Sequence, residues 1–489
     1  MMRKSLLIIA IALASGCAQM QVPGIPSLGK AKVDPNLTQI AANFKGPAAG
    51  RNAVATQTLQ SIQLQNKALG VAQDGKIDAY LNAILARLQA GLPGTPPPAR
   101  VYATPNTEFN ARSFEDGGIF IPYKVLDALE SEDELASLIA HEYAHVALQH
   151  YHSDWIDTAA NLAYSAGNIY INRQLKTSTD KDLLGMVLTN DAVLGASQIG
   201  LVPALTRDQE NEADQLGVDL LIRARYSIVG AITFLSRMEE WEARNQAILD
   251  QRKTNYFDLF SKSEQSVIAK AIDAQIDVLE NKLAKQIHST SQKHDKGEDR
   301  SKTLRSYIKQ HYAGVDRPPL SVAPYTAALK SSHAKAFFTG LDQAHASTAA
   351  LAQKNLPQAL SNATGATKSP AALVPFARHV MINAMAVNGK SADALAMLES
   401  DVGTNSALFV DNVFLINILK KSSPEKALTL AQHSYERYAD SPELLPDLIL
   451  LSKQQKNPFA VMKYYGVCAG KAMASSNNAL LESCNKAKG

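Results

Sequence analysis

The sequence predicts an α+β chain, mainly α: a small sheet packed among helices, then an α-solenoid of degenerate repeats. Three observations predict it. Two short β-patterned runs, Arg100–Ala103 and Gly118–Tyr123, stand between helical patterns. A strong helix beginning at Ser131 carries the run His141-Glu142-Tyr143-Ala144-His145. From about residue 325 onward the chain is almost wholly helical in pattern and repeats itself.

The amino terminus reads as an export signal over residues 1–17. Arg3 and Lys4 form a basic start, and Leu6–Ala14 an apolar run too short to span a bilayer. Leu13-Ala14-Ser15-Gly16-Cys17 then resembles a bacterial lipobox, although Ala14 stands where Leu is usual. On that reading Cys17 is lipidated, and Ala18 in place of Asp directs the chain to the outer membrane. The other reading is cleavage after Ala14, with Cys17 a spare thiol. Residues 18–50, rich in Pro, Gly, Gln and Lys, read as a tether.

A chain of 489 residues predicts two or three domains, and a hydrophobic fraction of 46% is that of a globular protein. Net charge is +3, and loss of Arg3 and Lys4 leaves 47 basic against 46 acidic residues. That balance excludes nucleic acid as a partner.

The elements follow in order. Ile77, Leu81, Ile84, Leu85 and Leu88 share helical spacing over 77–92, and Pro93-Gly94-Thr95-Pro96-Pro97-Pro98 stops the helix. Asp116-Gly117-Gly118 supplies a turn between the two strands. Gly118-Ile119-Phe120-Ile121 is either an edge strand that aligns an extended substrate or a core strand. Ser131 caps the next helix, Glu134 completes a capping box, and Glu132 and Asp133 suit its first turn. Leu135, Leu138, Ile139 and Val146 form its buried stripe. Residues 155–205 are small and apolar, densest at Leu183–Leu188, but Asn190 and Asp191 leave them too short for a membrane span. A helix carries Glu210–Ile222, and a charged amphipathic stretch runs through Ile268, Ile272, Ile276, Leu279 and Leu283.

The repeats are marked by Ala359-Leu360, Ala394-Leu395, Ala427-Leu428 and Ala460-Val461, at spacings of 35, 33 and 33. Pro357, Pro424 and Pro458 precede three of the four. A period of about 34 with small residues at helix crossings is the tetratricopeptide pattern, here without most of its Trp and Gly positions. Cys468 and Cys484 are either a disulfide, as an exported pair allows, or two buried thiols on facing helices.

The chemistry sits at 141–145. His141 and His145, four apart on a helix, project from one face and can bind one Zn²⁺. Glu142 beside them can reach a water as general base. A third ligand is needed, and Glu210 and Asp214 are again four apart on a helix. One carboxylate can bind the metal; the other can accept the spare N–H of a ligand histidine.

HEYAH followed by Glu210-x-Glu212-Ala213-Asp214-x-x-Gly217 resembles the HtpX and CAAX-prenyl-protease type of zinc metallopeptidase, in its periplasmic BepA-like and LoiP-like branch. Asn110-Ala111 and Ser131-Glu132-Asp133-Glu134-Leu135 match too, and the likeness covers about residues 75 to 305. It implies a zincin-like protease domain over 51–315 and tetratricopeptide-like repeats over 325–489. It implies one zinc held by His141, His145 and Glu210, with Asp214 behind and Glu212 off the metal. It implies a periplasmic endopeptidase of misfolded or unassembled envelope proteins, with an outer-membrane or assembly-machinery partner met through the repeats; the lipobox-like run at Cys17 adds a lipid anchor to the outer membrane. The alternative is a latent protease that acts mainly as a chaperone. Arg300 or a His can serve the oxyanion; Arg300 can equally be structural.

His294-Asp295-Lys296-Gly297-Glu298-Asp299-Arg300 resembles a stretch of that family in which the His closes the open zinc position. Lys293 and Asp295 replace the usual Thr and Pro, so His294 is either a regulatory fourth ligand or a surface His. Under the first reading His294→Ala raises the rate of proteolysis; an unchanged or lower rate excludes it.

Overall fold

The computed structural model describes residues 41, 44, 60–150, 205, 207–238, 240, 241, 244, 297–438, 440–474 and 478–489. Cys17, most of the 18–50 tether, Leu183–Leu188, the stretch through Ile268 and Leu283, and His294 lie outside them. Among the described residues no helix is long and apolar enough to cross a membrane.

The first part runs α1 (Gln60–Lys67), α2 (Gly75–Gln89), β1 (Arg100–Thr104), β2 (Arg112–Ser113), β3 (Gly118–Pro122), α3 (Tyr123–Ala128), α4 (Glu132–Leu148), α5 (Arg207–Arg223) and α6 (Gly297–His311). Helix α2 starts two residues before its apolar pattern because the Asp74 carboxylate accepts from the Lys76 and Ile77 N–H groups. Its five spaced apolar residues are all buried. On the same helix Asn82 works as a surrogate strand: Nδ2 donates to Val101 O at 2.9 Å and Oδ1 accepts from Val101 N at 3.0 Å.

The sheet decides one reading that the sequence leaves open and corrects another. Strand order is β1-β3-β2, so Gly118–Pro122 is the central strand and not an edge. The 116–118 turn joins β3 not to β1 but to β2, a two-residue strand too short to carry a pattern. β1 lies parallel to β3, from Arg100↔Gly118 to Thr104↔Pro122, and β2 antiparallel, with Arg112↔Phe120 and Ser113↔Ile119. The turn needs Gly117: φ is +86°, and a Cβ would lie 2.3 Å from Pro98 O.

Helix α4 is buried on every side, from Asp133 to Ala147, rather than along one stripe. Its charged start is therefore fully partnered. Ser131 Oγ accepts from Glu134 N at 3.2 Å. Glu134 turns away from the capping box: it accepts from Glu130 N at 2.8 Å and from Arg237 Nε at 2.9 Å. Asp133 accepts from Ser227 N at 2.6 Å and Ser321 N at 2.5 Å. Helix α5 packs along α4, and Gly217 makes the approach close, since a Cβ there would already touch His141 N at 3.4 Å. Buried Asp219 on α5 accepts from the Tyr307 hydroxyl of α6 at 3.0 Å and from Tyr312, which seats α6 on α5.

The second part is helical: α7 (Val322–Leu329), α8 (Ser332–Ala352), α9 (Leu356–Lys368), α10 (Pro375–Val387), α11 (Ser391–Gly403), α12 (Phe409–Ser422), α13 (Pro424–Arg437), α14 (Leu445–Gln454), α15 (Pro458–Ala474) and α16 (Asn478–Lys488). Pairs α8–α9, α10–α11, α12–α13 and α14–α15 pack as successive hairpins, consistent with a repeat region. The periodic alanines fall near the start of each second helix; Ala359, Ala394 and Ala427 are buried there and Ala460 partly so. Pro357, Pro424 and Pro458 mark helix starts, where a missing N–H costs nothing. Cys468 of α15 and Cys484 of α16 form a disulfide.

The two parts touch through named contacts. Tyr123 OH donates to Asp342 Oδ1 at 2.6 Å, Tyr325 OH to Leu126 O at 2.5 Å, and His345 Nε2 to Pro105 O at 2.6 Å. Farther along, Lys67 lies 3.4 Å from Glu443 and over the Phe409 ring.

The disulfide closes a loop with a sequence separation of 16. Reduction, or the double change Cys468→Ala/Cys484→Ala, is expected to cost about 3 kcal/mol of stability. Thermal unfolding with and without reductant measures it, and loss should appear first in α15–α16.

Candidate metal centre

Three segments meet at one end of α4. That helix brings His141, Glu142 and His145, α5 brings Glu210, Glu212 and Asp214, and α6 brings Arg300. The histidine rings stand nearly perpendicular, at 88°, and their Nε2 atoms face each other at 3.1 Å. Glu210 lies over both: Oε2 is 3.5 Å from His141 Nε2, and Oε1 is 3.9 Å from His145 Nε2. Among the described residues, these three side chains can hold a metal ion together. The donor set fits zinc, because ligands at about 2.0–2.1 Å in a tetrahedron lie about 3.3 Å apart.

Behind the donors lies a buried ion network. Asp214 Oδ1 is 2.8 Å from His141 Nδ1. Arg300 grips the same carboxylate with two bonds, Nε to Oδ2 at 3.0 Å and Nη2 to Oδ1 at 2.8 Å. Its Nη1 reaches Glu210 Oε2 at 3.0 Å. Burial pushes the Asp214 carboxyl up, but Arg300 and His141 outweigh it and hold it down to about 2. Burial works against the Arg300 charge, yet Asp214 and Glu210 push its pKa up. Arg300 thus commits all three guanidinium nitrogens to carboxylates. Burial, then His141, His150 and Arg300, hold His145 well below the usual histidine range, in the neutral form a metal requires.

Glu142 points to the other side. Ser113 Oγ donates to its Oε2 at 2.7 Å, and burial raises its pKa against the opposing pull of His141 and Ser113. A cavity of ≈ 200 Å³ opens here, lined by His141, Glu142, His145, Glu210 and Arg300, by the Phe109–Ser113 segment, and by an apolar wall that includes Leu138, Phe234 and Trp241.

The structure therefore brings together His141, Glu142, His145, Glu210, Asp214 and Arg300. Three contributors escape sequence reasoning. Ser113 sits on the two-residue strand. The apolar wall comes from the helical run 229–238 and from Trp241, which no spacing ties to 141–145. His150 lies just past the end of α4, with its Nδ1 2.9 Å from His145 Nδ1. Its one signal is that it is a third histidine five residues after His145. Glu212 stays off the metal donors and contacts His150 Nε2 at 3.2 Å.

Residues 72–308 match the model of Peptidase family M48. With the His141–His145–Glu210 cluster inside that stretch, this part of the chain is a metallopeptidase domain of that family. The chain is also similar to the beta-barrel assembly-enhancing protease of Yersinia pestis, 26% identical over 167 residues, which is 34% of each chain. The protein of that name from Escherichia coli (strain K12) is 25% identical over 169 residues, 34% of this chain and 33% of that one. A putative beta-barrel assembly-enhancing protease of Vibrio cholerae is 26% identical over 174 residues, 35% and 34% respectively. The matches thus span about a third of the length of these relatives.

Arg300→Met leaves Asp214 buried without its cation. That is expected to lower the unfolding free energy by about 3 kcal/mol or more. Chemical denaturation of the metal-free protein measures it.

Proposed function

We propose that the chain is a zinc-dependent metalloendopeptidase of the cell envelope, with one zinc held by His141, His145 and Glu210. The observation that carries this is the convergence of those three donors beside the Glu142 carboxylate, at the floor of a cleft. When bound there, zinc supplies Lewis acidity toward the scissile carbonyl and makes water acidic enough to ionise near pH 7. Glu142 takes the proton from the attacking water and delivers it to the leaving amine. Ser113 holds Glu142 Oε2, which fixes the carboxylate's orientation for both transfers. Asp214 orients His141 and neutralises its developing charge. Because Arg300 is taken up by Asp214 and Glu210, its role is structural. With β3 central, the outermost β2 segment along the cleft, rather than Gly118–Ile121, aligns an extended substrate.

The finer reading rests on likeness. The relatives' name, beta-barrel assembly-enhancing protease, points to unassembled or misfolded envelope proteins as substrates. The disulfide supports an oxidising compartment such as the periplasm, and Cys17 is the proposed lipid anchor. Domain limits of 51–315 and 325–489 follow the same reading, with the hairpins as the surface that meets a partner.

Glu142→Gln is expected to lower cleavage of an unfolded outer-membrane protein by about 10²–10⁴-fold, while still binding zinc. Glu210→Ala is expected to lose the zinc as well. Metal analysis beside a cleavage assay separates these outcomes. Stoichiometric zinc in Glu210→Ala would break the ligand assignment, and wild-type activity in Glu142→Gln would leave the chain a binding protein.

A further inference from the structure

The two histidines of the centre are not supported alike. Nδ1 of His141 faces Asp214 directly. Nδ1 of His145 meets instead the Nδ1 of His150 at 2.9 Å. His150 continues the path, since its Nε2 lies 3.2 Å from Glu212 Oε2.

The position of His150 is built. Helix α4 ends on Gln149, held left-handed at φ 55°, a region that residues other than glycine rarely enter. The chain folds back there. His150 N donates to His145 O at 3.1 Å, and Gln149 N to Val146 O at 3.3 Å, the two bonds of a Schellman turn. From α5, Gln209 Nε2 donates to His150 O at 2.8 Å. The His150 ring is buried, while the Glu212 side chain is 58% exposed. Helix α5 thus serves the site with two adjacent stripes. Glu210 and Asp214, four apart, address the metal position and His141. Gln209 and Glu212, three apart, address His150.

Proton placement then follows from elementary valence. For His145 Nε2 to present a lone pair to a metal, its ring proton must sit on Nδ1. That N–H donates to His150 Nδ1, which must be unprotonated. The proton of His150 therefore sits on Nε2 and donates to the Glu212 carboxylate. Only this arrangement satisfies every contact of the chain.

We propose that His150 is a positioning residue of the centre: with Glu212 behind it, it fixes the tautomer and ring orientation of His145 as Asp214 does for His141. This rests on the assignment of His141, His145 and Glu210 as zinc ligands. It also gives a use to Glu212, the one acidic residue of the 210–214 run that the metal does not need. Partners of this kind are worth about 10–100-fold in metal affinity.

The test is zinc affinity by chelator competition in the full chain, together with histidine tautomers read by ¹⁵N NMR of the zinc-loaded protein. His150→Leu keeps the volume and removes the acceptor, and is expected to weaken zinc binding by about 10–100-fold. His150→Asn, whose Oδ1 can stand near the lost Nδ1, should recover part of that. Glu212→Ala should give a smaller loss, because water can replace an exposed acceptor. In the wild type, His150 should carry its proton on Nε2 and His145 on Nδ1. Unchanged affinity in His150→Leu, or a His150 protonated on Nδ1, overturns the proposal. If His150→Leu does not fold, the wild-type tautomers decide alone. Zinc retained in Glu210→Ala is a separate result, which breaks the ligand assignment and not this support.

Discussion

The pairing of Asp214 with Arg300 holds the centre in place. It joins two helices through residues 86 apart in sequence and shares its charge with both Glu210 and His141. Without the guanidinium, two carboxylates would be buried side by side near the imidazoles. With it, each charge has a partner, and the helix carrying the two histidines can be wholly enclosed. Enclosure in turn makes His145 neutral and lets short-range contacts set geometry in a medium of low polarity.

That enclosure explains what the sequence discloses and what it withholds. His141, His145, Glu210 and Asp214 are legible because each pair repeats at a helical interval and each residue type suits the chemistry. The onset of α4 is legible from Ser131, since a cap is local. The all-round burial of α4 is not, because it depends on α5, the sheet and Ser321 arriving from elsewhere. Glu134 is a case in point: its spacing fits a capping box, but Arg237 and the Glu130 N–H claim the carboxylate. The topology of the sheet is hidden for a related reason. A two-residue strand has no periodicity, so β2 and Ser113 escape, and the 116–118 turn is assigned to the wrong pair of strands.

The hairpins of the second part are more transparent. Small residues at a steady interval must meet a neighbouring helix closely, and Ala359, Ala394 and Ala427 are buried as that demands. What the interval does not disclose is how firmly the first hairpin is fused to the sheet-bearing part. The hydroxyls of Tyr123 and Tyr325 and the ring of His345 bind across that boundary to groups no pattern singles out.

Asn82 has a consequence of its own. It occupies both hydrogen-bonding groups of Val101, and Ala72 N takes the Ala103 carbonyl at 2.8 Å. The outer margin of β1 is therefore already paired along the stretch where a stray strand would dock. An unsealed margin invites chains to stack edge to edge into aggregates. The Asn82 amide and the Ala72 N–H together close that side of the sheet and guard it against such stacking.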